Sequence, residues 1–263
     1  MKAYSENVKI NTPISNNFFS YEKRVNKTIY IPTILEGNVK GIKLGKKPAF
    51  IEIDENEKEI ECIGLENFIK QKEKNIYIFD NHNHSFYFTY NLFLNTKKKY
   101  DFIHIDQHKD LREPYINFSE YKKQIGNDLH KIRQEFEKIN LEINFDENDT
   151  FNLEDMLSYL YTNIVLNVGN FIKPLLEEGV IDKFYCIDSS YNLEELKNYN
   201  CERDYIVDLD LDFFSSEMDY IPESVKIALI RKIIKQAKLV IIATSPYFIE
   251  FEKCKSIMAK IFE

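Results

Sequence analysis

From about residue 75 onward, short apolar runs alternate with stretches of helical period. The runs are Ile76-Tyr77-Ile78-Phe79, Phe102-Ile103-His104-Ile105, Phe184-Tyr185-Cys186-Ile187, Tyr205-Ile206-Val207 and Leu239-Val240-Ile241-Ile242-Ala243. Runs this short and continuous suit strands buried on both faces, as in a parallel sheet covered by helices. Their alternation with helices predicts an α/β fold, a three-layer α/β/α arrangement around a mostly parallel, doubly wound sheet. This main domain covers residues 71–263. Residues 1–70 read differently, with strand-like pieces at Ile29-Tyr30-Ile31 and Ala49-Phe50-Ile51-Glu52-Ile53 joined by polar stretches that hold Gly37, Gly41 and Gly45. They predict a small β-rich lead-in packed on the main domain. A helical insertion at about 115–160 interrupts the alternation, either as a lid or as a cover for the sheet. In it, Leu129, Ile132 and Phe136 fall in register on one amphipathic helix over 119–140, followed by a polar connection at Asp146-Glu147-Asn148-Asp149.

Composition narrows the picture. A chain of 263 residues with a hydrophobic fraction of 44%, including 20 Phe and 17 Tyr, has ample material for one large core. The net charge of −8 disfavours a general nucleic-acid binder, because phosphate affinity needs a cationic surface. Lys97, Lys98 and Lys99 read as a solvated loop rather than a basic patch. Cys62, Cys186, Cys201 and Cys254 have no Cys-x-x-Cys spacing, so they suggest neither a zinc knuckle nor a disulfide framework, and Cys186 reads as core. The first residues lack the apolar core of a leader, and no stretch approaches the roughly 20 apolar residues of a membrane span. A cytoplasmic protein without membrane partners is expected, and self-association is left open.

The candidate chemistry lies where the strands end. His82, His84, His104 and His108 are four of the five histidines and fall close together. One strand runs into Asp80-Asn81-His82-Asn83-His84-Ser85 and the next into Asp106-Gln107-His108-Lys109-Asp110. In open parallel sheets, ligands bind outside the carboxyl ends of strands. A third strand carries Asp208, Asp210 and Asp212 at period 2, which on an extended strand puts three carboxylates on one face. Such carboxylates repel unless cations relieve them, and carboxylates mixed with imidazoles suit manganese or a similar divalent ion. A single Asp-x-Asp at a strand end usually caps a helix, but three such motifs in order point to a metal site. His104, inside its apolar run, reads as a core side chain.

These motifs resemble a known family. Asp106-Gln107-His108-Lys109-Asp110 looks like the Asp-Ala-His-x-Asp motif of the ureohydrolases, the arginase and agmatinase group. His84-Ser85 resembles the end of their Gly-Gly-Asp-His-Ser motif, and the Asp-x-Asp pair near 210 resembles their Ser-x-Asp-x-Asp. Asp80 to His84, His108 to Leu111, Val168-Gly169-Asn170-Phe171-Ile172 and Asp208 to Phe214 are more closely similar to a ureohydrolase-like family that includes the peptide arginases. This likeness spans roughly residues 75 to 250. It implies an arginase-like fold and two divalent ions, manganese by preference. Asp106 would bridge the ions, with His108 on one and Asp110 on the other. The Asp-x-Asp-x-His register of histone deacetylases, which share the fold, implies Asp210 and Asp212 as ligands with Asp208 in support. Either His82 or His84 completes the set, and Ser85 slightly favours His84. After the last strand, Thr244-Ser245-Pro246 departs from the arginase pattern.

The resemblance implies hydrolysis of a carbon–nitrogen bond by a metal-activated water, with Asp110 as the acid–base group. The preferred reaction releases urea from a peptidyl or free arginine, or from a small guanidino substrate, and leaves ornithine. A deacetylase-like amide hydrolase and a non-catalytic, metal-stabilised binding protein are the alternatives. His130 is read as a solvated helix position rather than a proton shuttle.

Overall fold

A computed structural model describes residues 3–142, 152–197 and 203–263 of the chain. The connection at 146–149 and Cys201 lie outside the described residues. In chain order the strands are β1 (Val8–Ile10), β2 (Ile29–Ile31), β3 (Ile34–Glu36), β4 (Leu44–Ile53), β5 (Glu59–Leu65), β6 (Phe68–Gln71), β7 (Ile76–Phe79), β8 (Tyr100–Ile105), β9 (Ile181–Ile187), β10 (Tyr205–Asp210) and β11 (Leu239–Ala243). The helices are α1 (Ser85–Thr96), α2 (Phe118–Ile125), α3 (Leu129–Lys138), α4 (Leu153–Ile164), α5 (Ile172–Glu177), α6 (Ser190–Lys197), α7 (Glu223–Ile234) and α8 (Phe251–Phe262).

Seven strands form one sheet in the order β3-β6-β7-β11-β10-β8-β9. All neighbours are parallel except β6 and β7. The central strands β8, β10 and β11 are buried at every position, which is why their sequences are continuous apolar runs and not alternating ones. The chain is thus mixed α/β with a mostly parallel sheet. The segment before residue 70 is β-rich, and it contributes β3 and β6 to the edge of this sheet besides the two-stranded pairs β1-β2 and β4-β5.

The strand order fixes where a site can form. From β7 the chain moves outward to β8 and β9, then returns to β10 and β11, which fill the places between β8 and β7. Right-handed crossovers put α1 to α5 on one face and α6 and α7 on the other. The helix contacts agree, since α1 packs with α4 and α5, α2 and α3 with α4, and α7 with α8. The segments that leave the adjacent strands β8 and β10 therefore diverge to opposite faces, which opens a crevice at their carboxyl ends.

The insertion differs from expectation. Instead of one helix over 119–140 it forms α2 and α3, because Gly126 adopts φ +59° and ends α2, while Asp128 caps α3 by accepting from the His130 and Lys131 N–H groups. Ionic and polar periodicity continued across this break, which hid it. α4 is buried from Met156 to Ile164, so this part of the insertion covers the fold. No helix among the described residues is long and apolar enough to cross a membrane.

Candidate metal centre

Two strand ends are shaped by the same local device. After β8, Asp106 Oδ1 accepts a hydrogen bond from the His108 N–H at 2.6 Å, and after β10, Asp210 Oδ1 accepts from the Asp212 N–H at 2.9 Å. Each aspartate closes a tight turn that swings the residue two places on back toward the sheet end. Asp212 accordingly lies in a 3-10 turn over Leu211–Phe214 and not on the strand, as the period-2 reading expected. The turn brings its carboxylate to the cluster all the same.

His82, in a 3-10 turn after β7, enters the cluster from the third strand end. Its Nδ1 lies 3.0 Å from Asp106 Oδ2, 3.3 Å from Asp210 Oδ2 and 3.7 Å from Asp110 Oδ2. A second group forms around His108, whose Nδ1 is 3.0 Å from Asp212 Oδ2 and 3.3 Å from Asp106 Oδ1. The two oxygens of Asp106 therefore face two different imidazole–carboxylate groups. Asp110 reaches the first group from a left-handed backbone conformation at φ 49°, which aspartate tolerates better than most residues. Ser245 is also left-handed, at φ 42°, and its Oγ donates to Asp210 Oδ2 at 2.5 Å.

His84 points elsewhere, against the slight preference that Ser85 gave it. Its Nδ1 meets the Tyr4 hydroxyl at 2.9 Å, and its ring sits among Tyr4, Phe68 and Phe79. Burial drives its pKa down to about 3, so it is a neutral side chain of the aromatic core. Ser85 Oγ donates instead to Asp208 Oδ1.

His104 is fully buried, as a core residue should be, but it is wired into the site. Its Nδ1 lies 2.8 Å from Asp208 Oδ2 and its Nε2 lies 3.2 Å from the His108 carbonyl. A carbonyl only accepts, so Nε2 carries hydrogen, and that nitrogen cannot ligate a metal although Asp106 Oδ2 is 3.5 Å away. His104 positions the loop that carries His108. The parity of 104, 106 and 108 held this signal, and the apolar neighbours of His104 masked it.

Asp208 serves both imidazoles from below. Besides His104 it approaches His82 Nε2 to 2.9 Å, though outside hydrogen-bond geometry. Burial raises its pKa, but His82 and His104 outweigh burial and hold the carboxyl below its ordinary value. Asp208→Asn is expected to lower manganese affinity about 10- to 100-fold, the range for groups that orient metal ligands. A manganese titration with unchanged affinity would remove Asp208 from this role.

The charge balance tests whether cations fit. Burial, with added repulsion from Asp106, raises the pKa values of Asp110 and Asp210, and burial with repulsion from Asp210 and Asp106 does the same to Asp212. Burial opposes a charge on Asp106 too, but His108 and His82 hold it well below the carboxylate range. Hydrogen bonds to Asp106 and Asp212 raise His108 to about 10, and His82 rises against its burial because of Asp208 and Asp106. Buried carboxylates that resist ionisation beside one another are the groups that a bound cation would stabilise. Two groups, His82 with His104 and Asp106, and Asp106 with His108 and Asp212, bring their donor atoms close enough to hold an ion. The geometry above removes His104 from the first and adds Asp110 and Asp210.

These shifts set a pH dependence. Each raised carboxylate stabilises the metal-free fold fully below about pH 4 and loses that contribution as pH climbs through its raised value. The raised histidines act in the same sense, His108 fading as pH passes about 10. Asp106 and Asp208 act oppositely in the acid range where they would take up protons, and neutral His84 opposes the fall up to about pH 6.5, one group against several. In chelator the melting temperature should therefore fall from about pH 5 to about pH 9, with manganese restoring most at the alkaline end. Melts in chelator that rise over this interval would contradict the charge arrangement.

The cluster forms the floor of a pocket of about 490 Å³. Asp106, His108, Asp110, Asp210 and Asp212 line it, together with Ser245, Gly169 and Arg112. His108 is 43% exposed at its side chain and so faces this space, whereas His82 is sealed beneath it, 4.9 Å ring to ring from Phe171. The lead-in segment is laced to the floor, since Asn16 donates to Asn83 and accepts from the Val168 N–H, and Asn81 donates to the Ala49 carbonyl. No protein-family model and no curated protein matches the chain.

Among the predicted site residues, the fold brings together His82, Asp106, His108, Asp110, Asp210 and Asp212, and leaves His84 out. His130 lies on the exposed face of α3 beside Gln134, away from the pocket lining. Lys97, Lys98 and Lys99 are exposed after α1. Cys186 is half-buried, and Cys62 and Cys254 are buried and free.

Proposed function

We propose that the chain is a metal-dependent hydrolase of a carbon–nitrogen bond, with an arginase-like fold and two divalent ions, manganese by preference. The supporting observation is Asp106, whose two carboxylate oxygens serve two separate groups. His82, Asp110 and Asp210 would hold one ion, His108 and Asp212 the other, and Asp106 both. A donor set rich in carboxylates with two imidazoles and no thiolate favours manganese over copper or structural zinc. Such ions lower the pKa of water and offset negative charge that builds up at a reacting carbon.

The remaining work belongs to the side chains. Asp110 lines the pocket beside the group it would help to hold, so it is placed to pass a proton to a departing amine. Ser245 donates to Asp210 Oδ2, the oxygen that faces His82 Nδ1, while the Asp212 N–H holds Oδ1, so both oxygens of that carboxylate are fixed. Phe50, Tyr247 and Phe248 limit water around the reacting group. The preferred substrate is a guanidine, with a peptidyl or free arginine giving ornithine and urea.

A urea-release assay with manganese-supplemented protein, run over free arginine, arginine-containing peptides and simple guanidines, tests the reaction. Urea from at least one of these, lost in Asp110→Asn, is the expected result. Release of acetate from acyl-lysine peptides without any urea would move the chain to the amide hydrolases, and fully loaded protein inert on both panels would make it a binding protein.

A further inference from the structure

One wall of the pocket is built from residues that the metal centre does not use. Phe19, Phe50, Tyr247 and Phe248 form a continuous run of rings, with centroids 5.4 Å apart from Phe19 to Phe50, 5.5 Å from Phe50 to Tyr247 and 4.9 Å from Tyr247 to Phe248. The run ends on His108, 5.0 Å from Phe248. Glu52, two residues along β4 from Phe50, joins the same lining. It is half-buried, and its Oε1 accepts from the Ile53 N–H at 2.9 Å and from Ser20 Oγ. Those bonds fix the carboxylate and leave Oε2 without a hydrogen-bond partner among the described residues.

The lining also contains Lys109 and Arg112, from the loop after β8, so the pocket is not uniformly acidic above its floor. Lys109 is 3.8 Å from Asp188 and is partly neutralised there. Among the described residues, Glu52 is the one carboxylate of the lining outside the cluster. Aromatic faces attract cations more strongly than neutral groups of the same shape, and a half-desolvated carboxylate beside them adds a charge-assisted hydrogen bond. The two preferences coincide on one wall.

We infer that Glu52, with the rings of Phe19, Phe50 and Tyr247, is the specificity-determining wall of the site and selects a substrate that enters the pocket through a cationic group, a guanidinium or an ammonium. The β-rich segment before residue 70 is then part of the site and not an accessory to it. This deepens the hydrolase reading and rests on it for the identity of the ligand as a substrate, while the cation preference itself is readable without turnover.

The experiment is a calorimetric titration of butylguanidinium and of its neutral isostere butylurea into manganese-supplemented wild type, Glu52→Gln and Phe19→Ala, with metal content measured on the same samples. Wild type should prefer the cation about tenfold or more, and Glu52→Gln should erase most of that preference without changing metal content or butylurea affinity. Phe19→Ala, on a separate element, should weaken the cation about threefold and the urea less. Equal affinity for the two probes in wild type, no binding of the cation, or an undiminished preference in Glu52→Gln would overturn the inference. Metal-free protein with a cation preference that depends on Glu52 would remove the hydrolase reading and keep this one, and two bound ions with a preference indifferent to Glu52 would do the reverse.

Discussion

Asp106→Asn is expected to cost the protein both metal ions together. Asp106 is buried, and its Oδ2 lies 3.0 Å from His82 Nδ1 while its Oδ1 lies 3.3 Å from His108 Nδ1. An amide there offers one oxygen in place of two and no charge, so one of the two groups loses a donor outright and the other loses attraction. The affinity loss should exceed the roughly 10- to 100-fold typical of groups that only orient ligands, and hydrolysis should fall below detection. Manganese should raise the melting temperature of wild type much more than that of the variant, and in chelator the variant should melt somewhat lower than wild type, because the charge that pairs with His82 and His108 is gone. Equal stabilisation of the two proteins by manganese would show that Asp106 is only the cap of its turn.

The second large effect separates two histidines that lie two residues apart. His82→Ala should lose metal and activity with the fold intact, since its ring faces three carboxylates that cations would otherwise share. His84→Ala should do the opposite. It removes a buried ring from contact with Phe68 and Phe79 and leaves the Tyr4 hydroxyl without its partner, at a cost of about 2–4 kcal/mol. Its metal content per folded chain should match wild type. Denaturant melts and elemental analysis on both variants decide this, and the reverse pattern would restore His84 as the ligand.

Strands β7 and β11 were legible to the residue, because strands covered on both faces must be apolar throughout and are bounded by the polar residues of the site. The helix over 119–140 was misread because the charge pattern continues through Gly126, whose positive φ breaks it. The first histidine motif was ambiguous for a different reason. His82 and His84 flank a single 3-10 turn, both are buried, and only the packing of Tyr4 and Phe68 decides which ring faces the core. Ser85 belongs to the site through Asp208, not through His84, so it was a true signal attached to the wrong neighbour. Phe19, Phe50 and Glu52 carried no local mark at all, since what makes them a wall is the docking of a distant segment through Asn16 and Ala49.

The central claim is a pair of cations held around Asp106, and metal stoichiometry reaches it most directly. Protein expressed with added manganese, and freed of loosely bound metal by gel filtration, should carry close to two ions per chain by elemental analysis. His82→Ala and His108→Ala should each fall toward one ion or fewer, because each imidazole belongs to a different group. Wild-type protein recovered without metal after separate supplementation with manganese, cobalt and iron would contradict the account.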